Sequence, residues 1–291
     1  MNVEGILVPI VTPFAADGSV NLAALRQLVE HFVRAGVGGI VACGTTGEYY
    51  TLNESEREQV LRTVIETVGG RITTVAGINA LSTDDSIRHA AQARELGYDG
   101  LLCTAPPYSL ASQDGILLHF RKLAKATPLP IILYDFPQRV GVQIAEETVH
   151  ELAKVPNIVG VKESSGNFNR ALSLIQARIP DFHIICGADD TAADFLFWGV
   201  RSWISGGANV FPAEQVAMVK AAIAGRWDEV RSLMTGMYPV IQAMESGDYN
   251  QKAKLGCLRH GVDAGTVRVP LAPLSGADQQ AFRAMLDAYG R

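Results

Sequence analysis

The sequence predicts an α/β fold: a (β/α)8 TIM barrel followed by a helical C-terminal extension. Three observations carry that reading. The chain has 291 residues, and α/β barrels routinely use about 250 residues as one domain. Eight short, apolar, β-rich runs recur along it, each followed by a helical pattern. The 28 glycines exceed the ~7% background and are spread out as punctuation between many short elements. The fingerprint GxGxxG is absent, which weakens an open dinucleotide-binding sheet as the alternative.

The expected strands cover 5–10, 39–43, 72–76, 100–103, 130–134, 158–162, 183–186 and 203–205. Most are apolar throughout rather than alternating, as parallel strands covered on both faces are. After the first strand, 22–35 sets Leu25, Leu28, Val29, Phe32 and Val33 on one helical stripe. After the second, Asn53 precedes an acidic turn with Glu54 and Glu56 and then Val60, Leu61 and Val64, an N-cap signature. After the third, 82–96 repeats the pattern and stops at Gly97. Gly36, Gly97 and Gly199 each follow a helix and directly precede a strand. From Ala213 the chain reads as helical to its end, apart from loops around 261–273. That is more than one barrel helix needs, so the expected division is a barrel over 1–224 and a helical domain over 225–291.

A chain that is 48% hydrophobic and 19% charged is neither disordered, collagen-like nor a coiled coil. A net charge of −5 with no basic stripe argues against nucleic-acid or anionic-membrane partners. Cys43, Cys103, Cys186 and Cys257 are too widely spaced for a CxxC or zinc pattern. They read as small buried hydrophobes in a reducing compartment. No stretch approaches 18 apolar residues, and the N-terminus lacks a basic n-region. A cytoplasmic, soluble protein is expected.

A barrel carries its site at the C-terminal ends of its strands, so chemistry is sought there. Lys162 closes the sixth strand, on the same face as Gly160 if side chains alternate. A small residue beneath it would leave room for the lysine stem inside the barrel. Burial disfavours an ammonium and so favours an amine that attacks ketones. Tyr134 ends the neighbouring fifth strand, where a phenol can relay protons. Gly44, Thr45, Thr46 and Gly47 offer two hydroxyls and turn amides to a small carboxylate. Arg139 can hold a second carboxylate with its bidentate fork.

Other readings of the rim are weaker. The stretch 206–209 after the eighth strand stands at the usual phosphate position of barrels, but no lysine or arginine follows within that loop. Asp189 and Asp190 suggest a metal, yet no histidine ends a strand, and the pair can equally cap the next helix. GxSxG is missing, so a serine hydrolase is unsupported.

Together, GTTGE at 44–48, PPY at 106–108, YDFPQR at 134–139 and KESSGN at 162–167 resemble the dihydrodipicolinate synthase / N-acetylneuraminate lyase family. The likeness runs from ILVPIVTPF at 6–14 to RVPLAPLS at 268–275. It implies class I Schiff-base chemistry on pyruvate, with no cofactor beyond the covalent imine on Lys162. By resemblance, Tyr134 is the general acid/base, and Thr45 and Thr46 bind the pyruvate carboxylate, Thr46 also passing protons. Tyr108 completes the proton relay from a neighbouring subunit, implying a homo-oligomer, a tetramer or dimer. Arg139 grips the aldehyde's carboxylate, and Gly187 and Ile204 complete the substrate-contacting set. The implied acceptor is aspartate semialdehyde, as in the synthases of lysine biosynthesis.

The pattern also departs from those synthases. Tyr49 and Tyr50 stand where small residues are usual, Pro107 where a second tyrosine is common, and Asp135 where asparagine is common. Glu54 and Arg57 occupy positions resembling histidines of a lysine-inhibited enzyme, so with Tyr49 they weigh against inhibition by lysine. The bulky Tyr49 and Tyr50 keep an aldolase or dehydratase of 2-keto-3-deoxy sugar acids as the alternative. A non-catalytic binding member is a third reading, against which Lys162, Tyr134, Thr45 and Thr46 count together. A phosphate-binding isomerase, resting on the glycines at 206–207, is a fourth.

Overall fold

The structure, a computed structural model, describes residues 1–289. Its strands are β1 Gly5–Pro9, β2 Gly39–Ala42, β3 Thr73–Gly77, β4 Gly100–Thr104, β5 Ile131–Asp135, β6 Ile158–Glu163, β7 His183–Cys186 and β8 Ser202–Ile204. Each pairs in parallel with its neighbour in sequence, and β1 also pairs with β8, so the sheet closes. The (β/α)8 barrel read from the sequence is therefore the fold observed. Strand ends differ from the apolar runs by at most one residue. Ile10 and Cys43 are apolar but lie past the ladder, whereas Thr104, Asp135 and Glu163 are polar but paired. Pairing ends a strand, and hydropathy only approximates it.

Helices α1 Leu22–Ala35, α2 Glu54–Val68, α3 Thr83–Leu96, α4 Gln113–Ala126, α5 Pro137–Val140, α6 Glu146–Leu152, α7 Phe168–Ala177, α8 Ala192–Phe197 and α9 Pro212–Ile223 alternate with the strands and lead out of β8. The punctuation works as read. Asn53 accepts from the Glu56 amide while Glu56 reaches back to the Asn53 amide, a reciprocal cap on α2. Gly36 and Gly97 take left-handed φ of 82° and 86° and stop α1 and α3. The expected helical tail is α10 Trp227–Glu245, α11 Tyr249–Gly256 and α12 Gly276–Ala288. Among the described residues, no helix is long and apolar enough to cross a membrane.

The apolar residues divide into two layers because every strand is covered on both faces. Leu7, Val41, Val75, Leu102, Ile132, Ile185 and Ile204 fill the barrel interior, together with Tyr134. A larger set, including Leu28, Phe32, Val64, Phe120, Phe195 and Trp203, packs between sheet and helices. Between β5 and β6 the register slips: Ile131 faces Ile158, but Ile132 faces Gly160, leaving Val159 extra. Past that irregularity Tyr134 lies opposite Lys162, and Asp135 opposite Glu163.

The tail is tied to the barrel rim by buried polar groups. Glu48, which closes the GTTGE turn, meets Lys254 of α11 at 2.6 Å, and both side chains are almost wholly buried. Burial pulls the Lys254 ammonium down to about 8, although Glu48 opposes the shift. Its Nζ also donates to the Thr266 carbonyl, and the Arg268 amide donates to Glu48. Arg268 then holds Glu56 at the start of α2 with two guanidinium nitrogens, at 2.6 and 2.8 Å.

Candidate active site

The C-terminal ends of β2, β5, β6, β7 and β8 open into a cavity of about 630 Å3. Thr45, Thr46, Tyr134, Arg139, Lys162 and Gly187 all line it. Lys162 is 5% exposed, and its Nζ stands 4.2 Å from the centre of the Tyr134 ring. That proximity follows from the β5–β6 register, which sets the two residues side by side, both facing inward.

The glycine that makes room for the lysine stem differs from the one expected. A Cβ on Gly160 would come within 2.6 Å of the His183 carbonyl, so Gly160 serves the close approach of β6 to β7. A Cβ on Gly187 would lie 2.8 Å from Lys162 Cγ and 2.7 Å from the Glu163 carbonyl oxygen. The nearest atom would be the Ser164 hydroxyl oxygen, so the missing side chain of Gly187 admits Ser164 and Lys162 together.

Thr46 is buried and Thr45 partly so. Their turn is held from beneath, where the Thr12 hydroxyl donates to the Gly47 carbonyl at 2.7 Å. It is held from the tail by Asn250, whose side-chain amide donates to the Thr45 carbonyl at 3.2 Å. Arg139 sits on α5 with its guanidinium 5.7 Å from the Phe136 ring centre. Among the described residues it has no ion-pair partner, so its charge is available to a ligand.

Two expected site residues lie elsewhere in a single chain. Tyr108 is 91% exposed, holds a left-handed φ of 71°, and does not line the cavity. Ile204 is fully buried in the interior layer with Tyr134 and Ile185, and it too is absent from the cavity lining. Tyr49 and Tyr50 pack edge to face at 5.4 Å and do not line the cavity either. Their bulk therefore does not narrow the cavity of the single chain. Arg57 is buried, its Nε donating to Gln92, and Glu54 stays near Arg88 and His89 on the surface.

Asp189 is not the helix cap considered from sequence. Its carboxylate accepts from Trp203 Nε1 at 2.9 Å, the Gly207 amide at 2.7 Å and the Tyr249 hydroxyl at 2.6 Å. It thus joins β7, β8 and the tail. The Gly207 amide is committed to Asp189 and the Ala208 amide to Ser205, so the 206–209 loop has few amides left for a phosphate. Among the described residues no group of three His, Cys, Asp or Glu is arranged to hold a metal.

One feature was missed in the sequence. Behind the sheet, Arg170 of α7 meets Asp135 at 3.0 Å and Glu163 at 3.0 Å, all three nearly fully buried. Asp135 also accepts from the Ile144 amide and Glu163 from the Ser165 amide. Burial pushes the Asp135 carboxyl up to about 6 against the opposing pull of Arg170. It raises Glu163 as well. These two carboxylates directly follow Tyr134 and Lys162, so they must point outward into the helix layer, where only a cation could receive them. That alternation was the available signal.

The comparisons with known proteins bear on the family and the fold. The Dihydrodipicolinate synthetase family matches residues 2–289. The 4-hydroxy-tetrahydrodipicolinate synthase of Alcanivorax borkumensis is 39% identical over 289 residues, covering 99% of this chain and 98% of that protein. The dihydrodipicolinate synthase of Bacillus anthracis superposes with a TM-score of 0.96 at 30% identity, over all of both chains. A chloride-inhibited dihydrodipicolinate synthase from Acinetobacter baumannii, solved with pyruvate, superposes with a TM-score of 0.94 at 33% identity over 99% of each chain. With the barrel, the strand-end motifs and the full-length match in agreement, the chain belongs to the dihydrodipicolinate synthetase family.

Proposed function

We propose that this protein is a lysine Schiff-base lyase that condenses pyruvate with aspartate semialdehyde, the reaction of a 4-hydroxy-tetrahydrodipicolinate synthase. The observation that carries the proposal is the placement of Lys162, 5% exposed, against Tyr134 in a cavity that Thr45, Thr46 and Arg139 also line. In this reading the Lys162 amine attacks the C2 carbonyl of pyruvate, and water leaves to form an imine. Loss of a methyl proton gives the enamine, whose carbon adds to the aldehyde carbon of the acceptor. The acceptor's amino group then attacks the imine carbon, closing the ring and freeing Lys162. Tyr134 moves protons in these steps, and Thr45 and Thr46 hold the pyruvate carboxylate. Arg139, without an internal partner, takes the acceptor's carboxylate. The imine itself is the electron sink, so the chemistry needs no further cofactor.

The barrel over 1–224 supplies these groups, and the segment 225–291 supplies one wall of the cavity. In the same reading Tyr108 serves a second copy of the chain, which fits a side chain so exposed in a single one. Sedimentation at micromolar concentration is expected to show a dimer or tetramer. A monomer that retains full activity would remove Tyr108 from the mechanism. The four cysteines are all buried free thiols, which suits a reducing cytoplasm.

The activity is tested in two steps. Borohydride added with pyruvate is expected to leave a stable mass increase on the peptide carrying Lys162, and an unmodified protein would overturn the imine. Pyruvate consumption is then followed with aspartate semialdehyde and with aldehydes of the sugar-acid series. Turnover only with the latter would replace the acceptor while keeping the imine.

A further inference from the structure

We infer that Glu245 determines acceptor specificity by receiving the substrate's ammonium group, so that the cavity reads an amino-aldehyde acid at both of its charged ends. This rests on the function proposed above and names the residue that would select the amino-acid form of the aldehyde.

The charged side chains lining the cavity are Lys162, Arg139, Asp190, Glu245 and Asp248. Once Lys162 has become an imine, Arg139 is the lining cation left, and it suits a carboxylate. An acceptor that carries an ammonium as well as a carboxylate also needs an anion in the same cavity, because a buried charge without a partner is costly. The three acidic residues do not fit that need equally. Asp248 already accepts from the Gln251 side-chain amide at 3.2 Å. Asp190 sits on the short turn Asp189–Thr191 rather than on a long helix; it is exposed, as Glu245 and Asp248 also are. Glu245 has no ion-pair partner among the described residues, and its stem is the longest of the three.

Its placement is also the most firmly built. It is the last residue of α10, a helix of 19 residues. The preceding Met244 is buried in the main core, together with Ile241 and Val240 of the same helix. The helix end is therefore anchored by packing, and the carboxyl is carried to the cavity by a rigid element. Although the residue keeps contact with solvent, the protein crowded around it, and then Asp189 and Asp190, push its carboxyl up to about 8. Lys162 opposes that shift. At neutral pH the crowded carboxyl keeps its proton, and an arriving ammonium would favour its release, leaving the carboxylate that pairs with it.

The experiment compares the wild type with Glu245→Gln and Glu245→Asp. Each is assayed with pyruvate plus aspartate semialdehyde, and succinate semialdehyde is added as a competing inhibitor; it has the same carbon chain and carboxylate but no amino group, so it cannot release Lys162 by ring closure. Pyruvate consumption is the readout, and borohydride trapping with pyruvate reports that the lysine half of the site is intact. Glu245→Gln is expected to raise KM for aspartate semialdehyde by on the order of tenfold or more, the size of a lost bond to a charged group. The inhibition constant of succinate semialdehyde should change far less, and Glu245→Asp should recover part of the discrimination. Equal effects on both aldehydes, or none on either, would overturn the assignment while leaving the proposed function standing. A wild type that traps pyruvate but never consumes aspartate semialdehyde would overturn both.

Discussion

Replacing Lys162 by alanine is expected to lower pyruvate turnover by on the order of 10^4-fold or more, the scale seen when a covalent nucleophile is removed. It should also eliminate borohydride trapping at that peptide. Lys162→Arg should be as inactive. It keeps a positive charge inside the cavity, but a guanidinium is not a nucleophile at neutral pH. The pair of variants thus separates covalent chemistry from charge. Neither variant should unfold the barrel, because Lys162 is not in an ion pair among the described residues. The test is steady-state turnover beside intact-mass analysis after reduction. Retention of a percent or more of wild-type activity by Lys162→Ala would exclude an obligatory imine on this residue.

Arg170→Met is expected to be among the most destabilising single changes outside the apolar core. Arg170 is 6% exposed at its side chain and is ion-paired with Asp135 and Glu163, themselves 1% and 2% exposed. Its removal leaves two carboxylates buried without a cation. Breaking a buried pair in this way costs about 3–5 kcal/mol, read as a fall in the urea or thermal midpoint. Methionine fills similar space, so the loss reports charge rather than a cavity.

Asp135→Asn is expected to act in the opposite direction. Two carboxylates share one guanidinium, and the Asp135 carboxyl is raised to about 6 from an ordinary value of 3.8. A raised acid binds its proton more tightly in the folded protein than in the unfolded one. From this group, stability therefore falls as pH rises between about 4 and 6, and the full cost is present above 6. Asparagine removes that cost and still accepts from the Ile144 amide. Its midpoint should exceed that of the wild type at pH 7, with the advantage shrinking as pH falls toward 4. A lower midpoint at pH 7 would mean that the Asp135–Arg170 attraction outweighs the desolvation of the carboxylate.

Much of this molecule was legible before any coordinates. Continuous apolar strands and glycine stops suffice for a closed parallel barrel, because burial on both faces and the left-handed helix end are local requirements. Lys162, Tyr134, Thr45, Thr46 and Arg139 were found because a barrel gathers its strand ends, so motifs far apart in sequence share one rim. Gly187 rather than Gly160 as the partner of the lysine stem was not legible. Which glycine faces which side chain depends on the pairing of β6 with β7, which sets Gly160 against His183 and Glu163 against Cys186. The bulky Tyr49 and Tyr50 pointed toward a different substrate, yet neither lines the cavity, and Tyr50 instead accepts a hydrogen bond from Asn250 beside it.

What the sequence determined by itself is the set of local choices: where helices start and stop, which runs become strands, and which chemically competent residues end them. The tertiary structure alone decided the long-range meetings. Arg170 meets Asp135 and Glu163 because α7 packs beside β7 and its arginine reaches across to the outward-facing ends of β5 and β6. Glu245 and Tyr249 enter the site because the tail folds back over the rim, joined there by the Lys254–Glu48 pair and the hydrogen bond between Tyr249 and Asp189. The partners of that hydrogen bond are 60 residues apart. Periodicity carries no information at such separations, so only packing and pairing in three dimensions select these contacts.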